Sequence, residues 1–416
     1  MIKKTQKIKT TKYAISFMLF CLLFFANSSI KAQYTWNSDS AFKANVPNSG
    51  RIWGYAFGDY YYKNHADTLN RGGNNQYTGI PRSRNAFQFR RIYLGYDYNI
   101  TKKFSAELLL AAEDNFPAGN PPLSFITSGD ELLNNKLSFY IKLMNLRVKS
   151  IWKGTDLVVG QVSTPSFSLL AEKIWNYRSV ERTITDIRRT SSYDLGVALQ
   201  GVFDPPTKNF GYNLMVGNGS SAKPESDNFK WFYGDVYAFF LNKKLVIDLY
   251  SDYERLNWTP TWHHSRQMLK GYIAYTTPAL TVGVEGFINN LKNDNFAMQI
   301  AGPIDTLSVK AKGISVYIHG TIVPSRLRFF ARYDNYNPDN KINNSKYSNY
   351  KGNTSGYNDP STKEEFITAG LDFTPVKNIH FMPNVWYNRY SNQGAKTAIN
   401  SNDLLYRATF YFVFGK

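Results

Sequence analysis

The chain has 416 residues, 43% of them apolar, 16% aromatic and 19% charged, with 49 Lys and Arg against 31 Asp and Glu for a net charge of +18. A mean hydropathy of −0.40, with no apolar run beyond the first segment near the roughly 18 residues that cross a bilayer as a helix, excludes a polytopic helical membrane protein. Thirty tyrosines and 29 phenylalanines exclude a disordered chain, and the single cysteine excludes disulfide stapling and thiolate zinc sites.

The first segment reads as an export signal. Lys3, Lys4, Lys7, Lys9 and Lys12 form a basic stretch, and Ala14 to Ala26 is an apolar run of thirteen residues. Ile30-Lys31-Ala32 offers a cleavage site, so residues 1–32 are predicted to be removed as a signal peptide. Thirteen apolar residues are too few to span a bilayer. Cleavage would also remove the only cysteine, Cys21. Residues 33–50 are then predicted to be an N-terminal periplasmic segment, and 51–416 the main body.

The body has an apolar period of two. Tyr406, Ala408, Phe410, Phe412 and Phe414 fall on one face of the last segment, with Arg407, Thr409 and Tyr411 on the other. Side chains alternate across a strand, so each segment has one greasy and one wet face. Sixteen segments follow this rule: 52–62, 87–98, 104–113, 137–151, 156–161, 194–203, 210–218, 230–241, 245–255, 266–275, 280–289, 311–322, 326–336, 364–374, 379–390 and 404–414. Short turns such as Asn242–Lys244 and Val323–Ser325 alternate with longer polar connections, among them 63–86, 114–136, 162–193, 290–310 and 337–363. That alternation predicts an all-β fold: a transmembrane up-and-down antiparallel barrel of about sixteen strands, with short periplasmic turns and long external loops. In lipid, every backbone polar group must pair within the protein, which a closed barrel achieves. Tyr96, Tyr98, Tyr275 and Tyr387 suit interfacial aromatic girdles. A water-soluble sandwich or propeller is the competing architecture.

The same alternation assigns inward-facing charges. The predicted lumen cations are Arg91, Lys142, Arg147, Lys149, Lys270, Arg328, Arg332 and Arg407. The predicted lumen acids are Asp97, Asp235, Asp248, Asp252, Glu254, Glu285, Asp334 and Asp372. Leu143 and Leu146 require a register switch, a bulge, inside the fourth strand.

Segment 162–193 stands apart from the other connections. Phe167, Leu169, Leu170, Ile174, Trp175 and Ile184 give it apolar anchors, and Ser166 to Trp175 reads as a short helix with Ser166 as N-cap. A connection with its own apolar residues must fold against something. It is expected to fold into the barrel and place Lys173, Arg178, Glu181, Arg182, Asp186, Arg188 and Arg189 at a constriction, because arginine forks match anionic oxygens and charge rings set selectivity. Packing on neighbouring external loops is the alternative.

Four stretches, Phe89–Leu110, Val158–Phe167, Trp175–Ile187 and Tyr193–Gly201, resemble the phosphate-selective porin O and P superfamily, with the nearest likeness to Bacteroidetes-type outer-membrane porins. The likeness runs from about residue 50 to the C-terminus. It implies a sixteen-stranded trimeric barrel in the outer membrane of a Gram-negative bacterium, passing small hydrophilic or anionic solutes. Selective members carry an arginine eyelet and a lysine ladder. Arg178, Arg182, Arg188 and Arg189 match the arginine-bearing loop, while the lumen predicted here is mixed in sign and shows no lysine ladder.

The function expected is therefore passive diffusion of small hydrophilic solutes, with a mild preference for anions such as phosphate. No enzyme activity, cofactor, metal site or nucleic-acid partner is expected; lipid and lipopolysaccharide are the expected surroundings. Gly217 to Ala222 imitates a dinucleotide fingerprint, but Lys223-Pro224 prevents the helix it needs. The histidines are scattered, with no HExxH spacing. A closed structural or assembly barrel and an outer-membrane barrel enzyme are the rival functions.

Overall fold

Large apolar side chains lie exposed at every second position of strand after strand: Leu214 and Val216, Phe232 and Val236, Leu269 and Ile273 are each more than 40% exposed. Their neighbours Asn213, Asp235 and Lys270 are less than 10% exposed. This inversion of a soluble protein, oil outside and charge inside, fits a wall that meets lipid. The computed structural model describes residues 46–71, 76–113, 138–188, 191–225, 227–339, 343, 346–352, 362–392 and 401–415. The predicted signal peptide, most of segment 33–50, and Arg189 lie outside the described residues.

The strands are β1 (Ser49–His65), β2 (Asn85–Asn99), β3 (Phe104–Glu113), β4 (Tyr140–Trp152), β5 (Thr155–Ser163), β6 (Tyr193–Val202), β7 (Phe210–Gly217), β8 (Trp231–Phe240) and β9 (Leu245–Trp258). They continue with β10 (His263–Thr276), β11 (Leu280–Gln299), β12 (Ile304–Val323), β13 (Leu327–Asn337), β14 (Tyr347–Gly352), β15 (Thr362–Val376), β16 (Ile379–Asn392) and β17 (Asn402–Phe414). Between β5 and β6 lie two five-residue helices, α1 (Ala171–Trp175) and α2 (Ile184–Arg188). Leaving β14 aside, each strand pairs antiparallel with the next, and β17 pairs back onto β1 from Gly54↔Phe414 to His65↔Leu404. The ring is a closed sixteen-stranded barrel. Closure leaves no edge in lipid, which is why amphipathic strands of this kind are stable there.

Three expectations need correction. Segment 290–310 is no loop: β11 and β12 continue through it to a tight connection at 300–303. Within segment 337–363, β14 pairs with β11 from Asn295 to Gln299 and adds a strand. β11 and β12 run 20 residues each, and their extension is rich in Asn, Asp and Lys, so the apolar period of two is lost there. The predicted helix from Ser166 shrinks to α1, whose N-cap Leu170 makes no side-chain capping bond. Ser166 instead shares a hydrogen bond of 2.9 Å with Thr164.

Two bulges set what points inward. Leu109 pairs with Leu143 and Leu110 with Ile141, so Lys142 is the extra residue and both it and Leu143 turn inward. The register switch required in the fourth strand is found there. The second bulge was not anticipated. Phe57 pairs with Arg91 and Gly58 with Phe89, which leaves Arg90 as the extra residue and turns two consecutive arginines inward.

Glycines opposite aromatics recur across the ladder. Trp53 lies over Gly95, Tyr237 over Gly211 and Tyr317 over Gly283 on the inner face; Phe410 lies over Gly58 and Phe414 over Gly54 on the outer face. Each ring covers its cross-strand partner, which offsets the weakness of a bare glycine in a strand. A methyl group at Gly58 would overlap both the Gln88 carbonyl and the Phe410 ring, at the seam where β17 closes on β1. Gly58→Val is expected to lower the yield of closed barrel, read as loss of the heat-modifiable band on semi-native gels. An unchanged yield would show that the seam tolerates a rebuilt contact.

Candidate functional site in the barrel lumen

The β5–β6 connection (164–192) bonds to the inner faces of β2, β11–β13 and β15–β17 and packs on those of β8–β10. Its own apolar residues drive this. Phe167, Leu170, Ile174, Trp175, Tyr177 and Val180 are buried against Phe239, Val246, Tyr272, Tyr317, Phe330 and Met382 of the wall. Ile184 joins a second cluster with Tyr250, Phe287 and Tyr336. At about 25 cal/mol per Å², each such side chain contributes about 1.5–3 kcal/mol to holding the segment in place.

Irregular backbone inside a barrel needs partners for its carbonyls. The wall supplies them, mostly as arginine. Arg90 donates to the carbonyls of Ser179 (2.9 Å) and Val180 (3.2 Å), and Arg407 to that of Val180 (3.0 Å). Arg332 donates to the carbonyl of Arg182 (2.5 Å), and His319 Nε2 to that of Ile174 (3.0 Å). Thr185 bonds to Glu285. Arg188 forms a two-pronged pair with Glu364 at 2.9 and 2.8 Å and lies 4.2 Å over the Tyr336 ring. Lysine has no such fork. Arg188→Lys should therefore cost about 1–3 kcal/mol, seen as a lower unfolding temperature in detergent; wild-type stability would place the attraction in charge alone.

A second connection joins the first. Between β1 and β2, Tyr77 and Ile80 are buried with Tyr61, Phe366, Trp386 and Leu405. Tyr77 donates to Asp59 (2.5 Å) and accepts from Arg407 (3.1 Å), and its carbonyl accepts from Lys63 (2.7 Å). Arg90 also reaches Gln76 of this segment. Arg90 and Arg407 thus clamp both connections at once. The two together form a plug.

The predicted constriction residues separate into two sets. Glu181 and Arg188 are buried in the anchorage: Glu181 accepts from Trp386 Nε1 at 2.9 Å, and its carbonyl accepts from Trp175 Nε1 at 2.8 Å. Lys173, Arg178, Arg182 and Asp186 keep some exposure along one edge of the plug, with Glu172 beside them. Arg178 bonds to Glu172 and, at 2.6 Å, to Asp186. This edge faces β2–β4. Burial pushes the Asp186 carboxyl up, but Arg178, Arg182 and Arg91 of β2 together hold it below its usual range. Burial likewise works against the charge on Arg178, and Glu172, Asp186, Tyr93 and Glu113 overcome it.

All eight predicted lumen cations point inward. Arg91 (2.9 Å) and Lys142 pair with Glu113, opposite the plug edge. Arg147 bonds to Asp156 (3.0 Å) and Gln200 (2.7 Å), and Lys149 to Asn99 (3.1 Å). Lys270 pairs with Asp248 at 3.0 Å. Arg328 donates to His319 Nδ1 at 3.1 Å. Arg332 and Arg407 hold the plug. Sequence reasoning missed Arg90, Asp59, Glu113, Glu364 and the buried Tyr77. A signal for Arg90 existed: the outward apolar set runs Phe87, Phe89, then Ile92, Leu94, so its parity breaks between 89 and 92.

No family model matches the sequence, and no curated protein is similar enough to match. Solved structures share the fold. The outer membrane channel DcaP of Acinetobacter baumannii superposes with a TM-score of 0.57 at 11% identity, over 89% of this chain and 99% of that one. The anion-selective porin from Comamonas acidovorans gives 0.55 at 11%, over 88% and 100%. OmpF of Salmonella typhi gives 0.55 at 10%, over 88% and 98%.

Proposed function

We propose that this chain is an outer-membrane porin. It would pass small hydrophilic solutes passively, with a mild preference for anions such as phosphate. The observation that carries the reading is the plug itself. It is pinned to the wall on most of its perimeter and presents one charged edge, Arg178, Arg182, Asp186 and Glu172, to Arg91, Lys142 and Glu113. Solute would pass between that edge and β2–β4. With Lys173 counted, cations exceed carboxylates there, yet most are paired, so the net field is weak and positive. The barrel's likeness to an anion-selective porin supports the same reading. A removed leader over residues 1–32, a homotrimeric assembly and a lipopolysaccharide-facing exterior belong to this proposal.

Insertion into planar bilayers tests it. Stepwise conductance is expected, with a reversal potential displaced modestly to the anion side in a KCl gradient. A second reading is favoured by the burial of Trp175, Trp386 and Tyr77 in the lumen, each at most 1% exposed: a closed barrel of structural role. Silence in the bilayer from correctly folded protein would select it.

A further inference from the structure

Toward the short turns the inner wall keeps partly exposed side chains, Arg51, Trp53, Arg147 and Asp156 among them, and this lining is unusual for an anion path. Trp53 on β1 lies over Gly95, and Tyr237 on β8 lies over Gly211. In a ring of sixteen strands, β1 and β8 stand nearly opposite each other. Neither ring is fully buried: Trp53 is half-buried beside the Phe57–Tyr93–Leu109 cluster of the wall, and Tyr237 is half-buried at the margin of the plug's apolar cluster. Trp53 is further aligned with Tyr55, at 6.2 Å between centroids and 12° between planes. A ring laid across a bare glycine leans along the wall instead of standing out into the lumen.

Planar polar groups lie between these faces at the same end. Arg147 bonds to both Asp156 and Gln200, with Arg147 31% and Asp156 30% exposed. Arg51 and Asp97 pair at 2.6 Å beside Trp53. Each such pair is a ready donor and acceptor side by side, matching two adjacent hydroxyls. Inorganic phosphate gains nothing from an aromatic face. A pyranose has an apolar C–H face that stacks on one and a rim of hydroxyls that needs paired donors and acceptors.

We propose that this vestibule is a carbohydrate-binding collar, with Trp53 and Tyr237 as stacking faces and the Arg147–Asp156–Gln200 set as the hydroxyl-reading group. The proposal deepens the porin reading and rests on it for the route by which a sugar arrives.

Two measurements separate the two ideas. Maltotriose, sucrose and inorganic phosphate are titrated into wild-type protein during KCl conductance. They are also titrated by calorimetry into protein held in a detergent without a sugar headgroup. Maltotriose and sucrose are expected to reduce the KCl current reversibly and to give binding heat. Trp53→Ala should weaken the half-blocking concentration about fivefold or more, Trp53→Phe should retain most of it, and any phosphate response should be insensitive to Trp53→Ala. Tyr237→Ala, on the opposite wall, gives an independent check should Trp53→Ala fold poorly. Conduction with neither sugar block nor heat would overturn the collar and leave the porin standing, as would equal affinity in wild type, Trp53→Ala and Tyr237→Ala. Sugar heat without any KCl current would sustain the collar and overturn the porin.

Discussion

Replacing Arg90 by alanine is expected to loosen the plug more than any other single change. The guanidinium serves the carbonyls of Ser179 and Val180, reaches Gln76 of the other connection, and lies 3.5 Å from Asp59. It is about 1% exposed, so water does not replace it. Its removal would take the donor of the Ser179 carbonyl and one of the two donors of the Val180 carbonyl, and remove a buried cation beside Asp59, a loss of about 2–4 kcal/mol. Asp59 would keep Tyr77 and Thr409 as donors, at 2.5 Å each, which limits the damage to the plug and spares the ring. Single channels of Arg90→Ala should therefore show larger unit conductance and more open-state noise, with the barrel still heat-modifiable. Arg407→Ala should act in the same direction, since both arginines share the Val180 carbonyl. The double variant should exceed the sum of the two, because it alone strips the Val180 carbonyl of both of its donors. Wild-type conductance in Arg90→Ala would mean that the apolar contacts of Phe167, Trp175 and Tyr177 hold the plug unaided.

The strand ring was legible because lipid imposes a strict rule. Where an outer face meets hydrocarbon, every second residue must be apolar, and β3, β7 and β17 read off within two residues of their observed ends. The period lapses where β11 and β12 run on, which is why their continuation through Asn290–Gln299 and Ile304–Lys310 looked like a loop. Bulges also defeat a strict period: Arg90 sits on the wrong parity for a lumen residue until Phe89 and Ile92 are noticed on the same face. The plug was half legible. Its apolar residues showed that 162–193 must pack on something, but its partners come from eight or more strands distant in sequence. No local pattern shows that Arg188 will meet Glu364, or that Tyr77 will enter the lumen from a stretch that looks merely polar. Pairing of this kind joins residues far apart in sequence, which no local period encodes.

Arg178→Glu is expected to turn the weak anion preference proposed above into a cation preference. Arg178 is the hub of the exposed plug edge, bonded to Glu172 and to Asp186 at 2.6 Å, and facing Glu113. Reversal changes the local charge by two units and gathers carboxylates where a guanidinium had separated them. For an ion passing about 7 Å away in water, two unit charges shift the local energy by about 1 kcal/mol. Anions lose about that much and cations gain it, so the ratio of anion to cation permeability changes by about 2 kcal/mol, roughly 30-fold. Arg178→Gln should give about half of that energy. Arg182→Gln should give less, because its contacts to Asp186 (3.8 Å) and Glu181 (3.9 Å) are looser and Arg332 fixes only its carbonyl. Salt separates a field effect from a change of shape. The Debye length falls from about 10 Å at 0.1 M to about 3 Å at 1 M, so the selectivity difference should shrink strongly in 1 M KCl. A reversal potential that moves equally at both concentrations would point to a reshaped plug. One that does not move at all would show that ions take a route away from this edge.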